Sequence, residues 1–455
     1  MKKAEKKATY FIMVVINALF YFLPGKWVSI ERDSEGYLGG GGQGVMPGYP
    51  AFLQLMKRLF GEEEYLNAAV VAQCVLAILV TIIFIYAIDR RIHLKSCECL
   101  LLLMATMLPF SIYLPEVGIT HQVMTEGIAY SLYYVFFTCC LEALWTKKGK
   151  WLVISEIISI LLVFVRSQLV ILQVITVFLM LYYIKKKAKK LTQTIVCVIA
   201  GMGILGFVSF FLLYGENTEK KQEYIKDENT QIDTLIICRG LFEGEESDAD
   251  LFEDKSVKEI YIRSYHIAEQ KEELYSFVEP GLYMWEKLVS DKLGKAVDQA
   301  IYEYDEQYPE VREFNEAQID RIIGITLLRE HFGRYLYHTF RLMLPSLIAS
   351  VFFQIRPIYL LCHVIAVMIY LFAIAGCVIL RKQHKSPNVV MLMGFSIFSS
   401  LVFVIVTNIV FMGLQRYVVY GMGIFYCALY LVVRELAKQI WTKIQWEKKH
   451  DLNQV

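Results

Sequence analysis

The sequence predicts an all-α polytopic membrane protein of about ten transmembrane helices, with outer interfacial helices and one mostly helical extracytoplasmic insertion. Three observations carry that prediction. Of the 455 residues, 56% are hydrophobic, and the mean hydropathy is +0.44. Several apolar runs of roughly 18 to 25 residues are each long enough to cross a hydrocarbon core about 30 Å thick. The net charge of +1 also hides an asymmetry: residues 215–335 hold 29 Asp and Glu against 15 Lys and Arg, which leaves the rest of the chain strongly basic. This composition excludes a soluble enzyme.

The basic clusters set the expected topology. They lie at residues 2–7, 89–95, 147–150, 185–190 and 381–385 and in the tail from Arg434, and the positive-inside rule assigns them all to the cytoplasm. Crossings are then expected at about 9–27, 66–88, 98–114, 122–144, 151–165, 168–184, 191–214, 358–380, 388–412 and 418–433, with both termini inside. The apolar segment 335–353 is assigned to an interfacial helix with His338 and Arg341 on its wet side. The first segment reads as an uncleaved anchor, because no small-x-small cleavage site follows its apolar run. The chain thus divides into a membrane module (1–214), an acidic extracytoplasmic insertion (215–335), and an interfacial helix with the C-terminal spans and basic tail (336–455).

Between Lys150 and Lys185 the chain has room for only two short crossings, of about 15 to 17 residues or roughly 22 to 26 Å each. The turn at Arg166-Ser167-Gln168 is therefore expected below the outer surface. An arginine at that depth is tolerated where it is buried in protein or lines a wet cavity.

In the insertion, the acidic, Asn- and Gly-rich stretch from Glu216 to Asp254 reads as loops. From about Lys255 to Arg334, apolar residues recur at helical spacing, as in Phe314 to Ile323, and predict a small helical layer. Its acidity argues against nucleic acid or an anionic membrane surface as a partner. Ten cysteines, mostly within apolar runs, give no disulfide framework, and Cys97-x-Cys99 is too short for a zinc site. His331, His338 and His363 lack ligand spacing. No Walker or dinucleotide motif supports ATP or NAD chemistry.

Ionisable groups beside the first apolar run form the leading candidate site, because charge at a membrane surface is costly unless it is used. Arg32-Asp33-Ser34-Glu35-Gly36-Tyr37 is followed by Gly39-Gly40-Gly41-Gly42 and Pro47-Gly48-Tyr49-Pro50. Further on come Thr125-Glu126, Arg166, Arg329 to Leu336 and Arg416-Tyr417. In this order they resemble the GT-C class of membrane glycosyltransferases that take sugar from a polyprenyl phosphate carrier, similar to protein O-mannosyltransferases and the lipid A aminoarabinose transferase.

The resemblance implies a GT-C-like bundle with an extracytoplasmic active site and transfer with inversion. It implies Asp33 as general base, with Arg32, Glu35, Tyr37, Glu126, Arg166, Arg416 and Tyr417 binding substrate. Many relatives have adjacent Asp-Glu in the first loop; here Ser34 separates Asp33 from Glu35, and the base is open between these two. No cofactor is required, and Glu126 would bind acceptor, position an arginine or hold a divalent cation should one take part. The implied partners are a polyprenyl phosphate sugar donor, a glycan, lipid or protein acceptor, and the bilayer.

Each residue also has a structural reading. Asp33 would pair with Arg32 or Lys26, Glu126 would favour its helix start through the dipole, and Tyr417 would be an interfacial anchor. A lipid-linked saccharide flippase or transporter, or a non-enzymatic receptor, is the alternative function. No internal repeat and no polar group at mid-membrane marks a transporter here.

Overall fold

A computed structural model describes residues 3–23, 28–31, 34–38, 46–111, 118–185, 231–277, 292–308, 316–352, 359–410 and 415–451. Among them the chain is helical, with no strand beyond one isolated backbone pairing of Ser29 with Gln122. It divides into two units.

The first unit, residues 1–209, 348–403 and 415–455, contains α1 (Lys3–Phe22), α2 (Ser34–Leu38), α3 (Gly48–Ile92), α4 (Ser96–Met107), α5 (Thr125–Thr146), α6 (Lys150–Val165) and α7 (Ile171–Lys185). Five stretches of the chain are helices long and apolar enough to cross a membrane: Gly48–Ile92, Thr125–Thr146, Leu360–Lys382, Pro387–Ile409 and Val419–Trp446. The protein is therefore a helical membrane protein. These five stretches overlap the crossings expected at 66–88, 122–144, 358–380, 388–412 and 418–433; those at 9–27, 98–114, 151–165 and 168–184 overlap other helices, and 191–214 lies outside the described residues. Helices α6 and α7 have 16 and 15 residues, the short hairpin expected from the spacing of the basic clusters.

Helix α3 is interrupted at Gly61, whose φ of +80° is a left-handed conformation that suits glycine. This break separates a first segment, starting at the Pro47-Gly48-Tyr49-Pro50 motif, from the long apolar rod. Helix α5 is the centre of the unit. It is apolar all round, as a helix surrounded by others must be, and Tyr130, Tyr133, Tyr134, Phe136 and Phe137 are all fully buried. Two of the hydroxyls are satisfied locally: that of Tyr134 donates to the Thr106 carbonyl at 3.0 Å, and Tyr133 meets Ser399 at 2.7 Å.

Ion pairs gather at one end of this unit. Lys6 reaches Asp89 at 2.7 Å, Arg90 and Arg91 hold Glu142 at 2.5 and 3.0 Å, and Arg434 meets Glu98 at 3.1 Å. Ser386 donates to Glu435 at 2.6 Å. The basic turns around residues 89–96 and 384–386 are thus tied together, together with the start of α1 and the end of α5.

The second unit, residues 210–347 and 404–414, contains α8 (Gln231–Glu243), α9 (Lys255–Gln270), α10 (Lys292–Gln307), α11 (Glu316–Glu330) and most of α12 (Phe332–Ala349). Its core includes Ile237, Leu241, Phe242, Ile260, Tyr261, Val297, Ile323 and Leu327. Two expectations are corrected here. Residues 231–243 are a helix rather than loop, because Ile237, Cys238, Leu241 and Phe242 recur at helical spacing and bury one face despite acidic surroundings. His338 is not on a wet face. It is buried against Glu243 of α8, with its Nδ1 2.8 Å from the carboxylate; without α8 the histidine has no visible partner, and so it reads as solvated. Arg341 does lie outside, near the hydroxyl of Tyr337 at 3.2 Å.

The chain continues through α13 (Tyr359–Lys382), α14 (Pro387–Val410), α15 (Gln415–Val418) and α16 (Met422–Asp451).

Candidate functional site

At the end of the first unit away from those ion pairs, the starts of α3 and α5 and the residues just before α16 meet the end of α6. Arg166 follows the last residue of α6 in an extended conformation, φ −155° and ψ 115°. Its amide closes the helix on the Leu162 carbonyl at 2.9 Å, and its carbonyl accepts from Leu169 at 3.0 Å, which opens a 3-10 turn into α7. The backbone is thereby fixed on both sides, and the side chain is directed back towards α5.

There the guanidinium pairs with Glu126, whose side chain is fully buried. It also donates to Thr125 Oγ1 at 3.2 Å, and Thr125 in turn donates to Glu126 Oε2 at 3.0 Å. Arginine, carboxylate and hydroxyl form a closed triangle. One face of the guanidinium lies over the Tyr417 ring, 4.7 Å from its centroid, a geometry that adds cation–π attraction. Glu126 therefore serves Arg166.

The Pro47-Gly48-Tyr49-Pro50 motif forms the adjoining wall. A Cβ at Gly48 would sit 2.5 Å from the Phe164 carbonyl oxygen, so only glycine allows the start of α3 to lie against the end of α6, two residues before Arg166. Tyr49 is fully buried, and its hydroxyl donates to Gln73 at 2.9 Å. Gln73 then donates to the carbonyls of Thr120 and Gln122 at 2.9 and 3.3 Å. This chain of bonds connects the motif to the segment that leads into Thr125-Glu126.

The first loop is tied to the same segment. Ser29 donates to the His121 carbonyl and accepts from the Val123 amide, both at 2.9 Å. Arg32 and Asp33 lie outside the described residues, as do Gly39 to Gly42. On either side of the pair, the Ser34 amide donates to the Glu31 carbonyl at 2.9 Å, and the Glu31 amide donates to Ser34 Oγ at 2.8 Å. Glu35 is exposed on α2. Tyr37 packs edge-on to Tyr49 with ring centroids 5.2 Å apart. Arg416 belongs to α15, and its side chain lies outside the described residues.

The structure thus brings together Glu126, Arg166 and Tyr417, with Tyr37 connected to them through the Tyr49 wall. It also adds residues that the sequence reading missed. Tyr420 is fully buried, within electrostatic reach of Arg166 and Glu126 and beside Gln168. Its ring packs edge-on to Tyr130 at 4.6 Å. The signal was its position three residues after Tyr417, one helical turn along the opening of the last span.

A phosphate oxygen offered to this triangle would meet a delocalised, bidentate-capable cation already oriented by a carboxylate. A divalent cation fits less well, since the Glu126 carboxylate is taken up by the guanidinium. Among the described residues no three of His, Cys, Asp and Glu converge on a metal-binding geometry. No family model, curated protein or solved structure matches this chain.

Proposed function

We propose that the protein is an integral-membrane glycosyltransferase of GT-C type that moves a sugar from a polyprenyl phosphate to an extracytoplasmic acceptor with inversion. The observation that carries this reading is the buried Arg166–Glu126 pair with Thr125 and Tyr417 around it, together with a first loop tied through Ser29 to the segment leading into Thr125.

In this reaction the acceptor hydroxyl loses its proton to Asp33, and its oxygen forms a bond to the anomeric carbon. The bond from that carbon to the phosphate oxygen breaks, and the polyprenyl phosphate leaves with the electron pair. Arg166, with Arg416, neutralises the growing charge on the phosphate. Glu126 holds the guanidinium in register and takes no proton. Tyr37, Glu35 and Arg32 are assigned to binding substrate, and Tyr417 limits the orientations open to Arg166. No step is routed through a divalent cation.

A second reading, transport of a lipid-linked saccharide, is favoured by one observation, the fully buried carboxyl of Glu156 within α6. Mass spectrometry of envelope glycans and lipid carriers from a deletion strain separates the two. Loss of one sugar with accumulation of its polyprenyl monophosphate donor supports transfer. Accumulation of a completed lipid-linked saccharide supports transport instead.

A further inference from the structure

Glu156 lies near the middle of α6 with its side chain fully buried. Gln173 and Thr176 of α7 and Ser159 one turn along α6 stand beside its carboxyl, and Cys140 of α5 is a titratable neighbour. Among the described residues no Lys, Arg or His faces it.

The hydroxyl hydrogens nearby are committed to backbone carbonyls, and one of the two Gln173 amide hydrogens to Ser159. Ser159 donates to the Glu156 backbone carbonyl at 2.8 Å, Thr176 to that of Leu172 at 3.0 Å, and Ser155 to that of Leu152 at 2.8 Å. The Gln173 amide nitrogen donates to Ser159 Oγ at 2.8 Å. Although these side chains adjoin the carboxyl, both Glu156 oxygens and Gln173 Oε1 are buried without a hydrogen-bond donor. Gln173 itself is 4% exposed. The cluster gathers oxygen lone pairs around one carboxylate, with the second hydrogen of the Gln173 amide left over.

A buried carboxylate with neither donor nor counter-charge is too costly to persist, and it recruits positive charge. One carboxylate balances one unit of charge, and hard neutral oxygens suit a hard cation. We propose that Glu156, Ser159, Gln173 and Thr176 form a monovalent-cation site, filled by a proton or a sodium ion. The site fastens α6 to α7 at ten residues, roughly 15 Å of helix, before Arg166. Occupancy therefore stiffens the hairpin that presents Arg166. The inference stands whether the protein transfers sugar or moves it.

The test uses the full chain, purified in detergent and exchanged into choline chloride. Thermal unfolding is followed while sodium chloride is titrated, with potassium chloride as a control. Infrared spectra are recorded across neutral pH on the wild type, Glu156→Gln and Glu156→Asp. A saturable rise in midpoint with sodium that Glu156→Gln removes identifies sodium, and Thr176→Val should then raise the half-effect concentration by about tenfold. Sodium indifference together with a protonated-carboxyl C=O band that Glu156→Gln removes, or that Glu156→Asp shifts, identifies a proton. Should the glutamine variant fail to fold, the sodium titration of the wild type and the aspartate band still decide. Sodium indifference and no such band would overturn the proposal, leaving an anionic Glu156 satisfied by a turned Gln173 amide.

Discussion

Arg166 and Glu126 belong to different helices and meet in the interior, where the side chains are 13% and 0% exposed. Deleting one member of such a pair strands the other charge, at a cost of about 3–5 kcal/mol. Arg166→Met and Glu126→Gln should each lower stability on that scale, and the double variant should lose less than the sum of the two. Thermal or denaturant unfolding of the four proteins in detergent measures the coupling. Additive losses would mean that the two side chains do not depend on each other.

The Gly48 contact with the Phe164 carbonyl predicts that Gly48→Ala forces α3 away from the end of α6. Overpacking of this kind costs about 1–3 kcal/mol. Because the displaced backbone lies two residues from Arg166, affinity for polyprenyl phosphate should fall as well. Binding titrations beside melting curves check both effects, and unchanged values for both would show that the gap accommodates a methyl group.

Both of these predictions combine features that the sequence reveals to different degrees. Arg166 stands out because it interrupts apolar residues on both sides, and Glu126 stands out at the start of an apolar run. A role for Glu126 in positioning an arginine was open from the sequence, but that its partner is Arg166 depends on how α5 and α6 pack. Glu156 was missed for the opposite reason: its apolar neighbours Ile157, Ile158 and Leu161 absorb one acid into a continuous membrane run. Residues 231–243 read as loop because the acidic composition around them masks the helical spacing of Ile237, Cys238, Leu241 and Phe242. His338 reads as solvated for the same reason, because its partner Glu243 lies on that helix.

The acidic unit should respond to acid through Glu245. Hydrogen bonds from Arg334 and then Tyr275 hold its carboxyl below the ordinary glutamate value of 4.5. The folded value is depressed, so the stabilisation is present above 4.5 and is lost as pH falls through the lower, folded value. Hydrogen exchange around Tyr275 should therefore accelerate on acidification below that range. In Arg334→Ala the exchange should already be faster at neutral pH and should change less with acid. Equal acid responses in both proteins would contradict the assignment. The Glu245 side chain is about half exposed, and the effect is expected to be modest.

Topology is tested by single cysteines in a background without exposed thiols. A cysteine at position 385 should react only with reagents that reach the cytoplasm, and cysteines at 250 and 302 should react from outside. Labelling of position 385 from outside would reverse the proposed orientation and remove the active site from the extracytoplasmic face.

The most direct test of the central claim is turnover of purified, lipid-reconstituted protein with a polyprenyl phosphate sugar donor, comparing the wild type with Asp33→Asn. The account predicts a fall in turnover of about 10²–10⁴-fold, the scale of a positioned base, with donor binding retained and Glu35→Gln far less affected. Near-normal transfer by Asp33→Asn would contradict it.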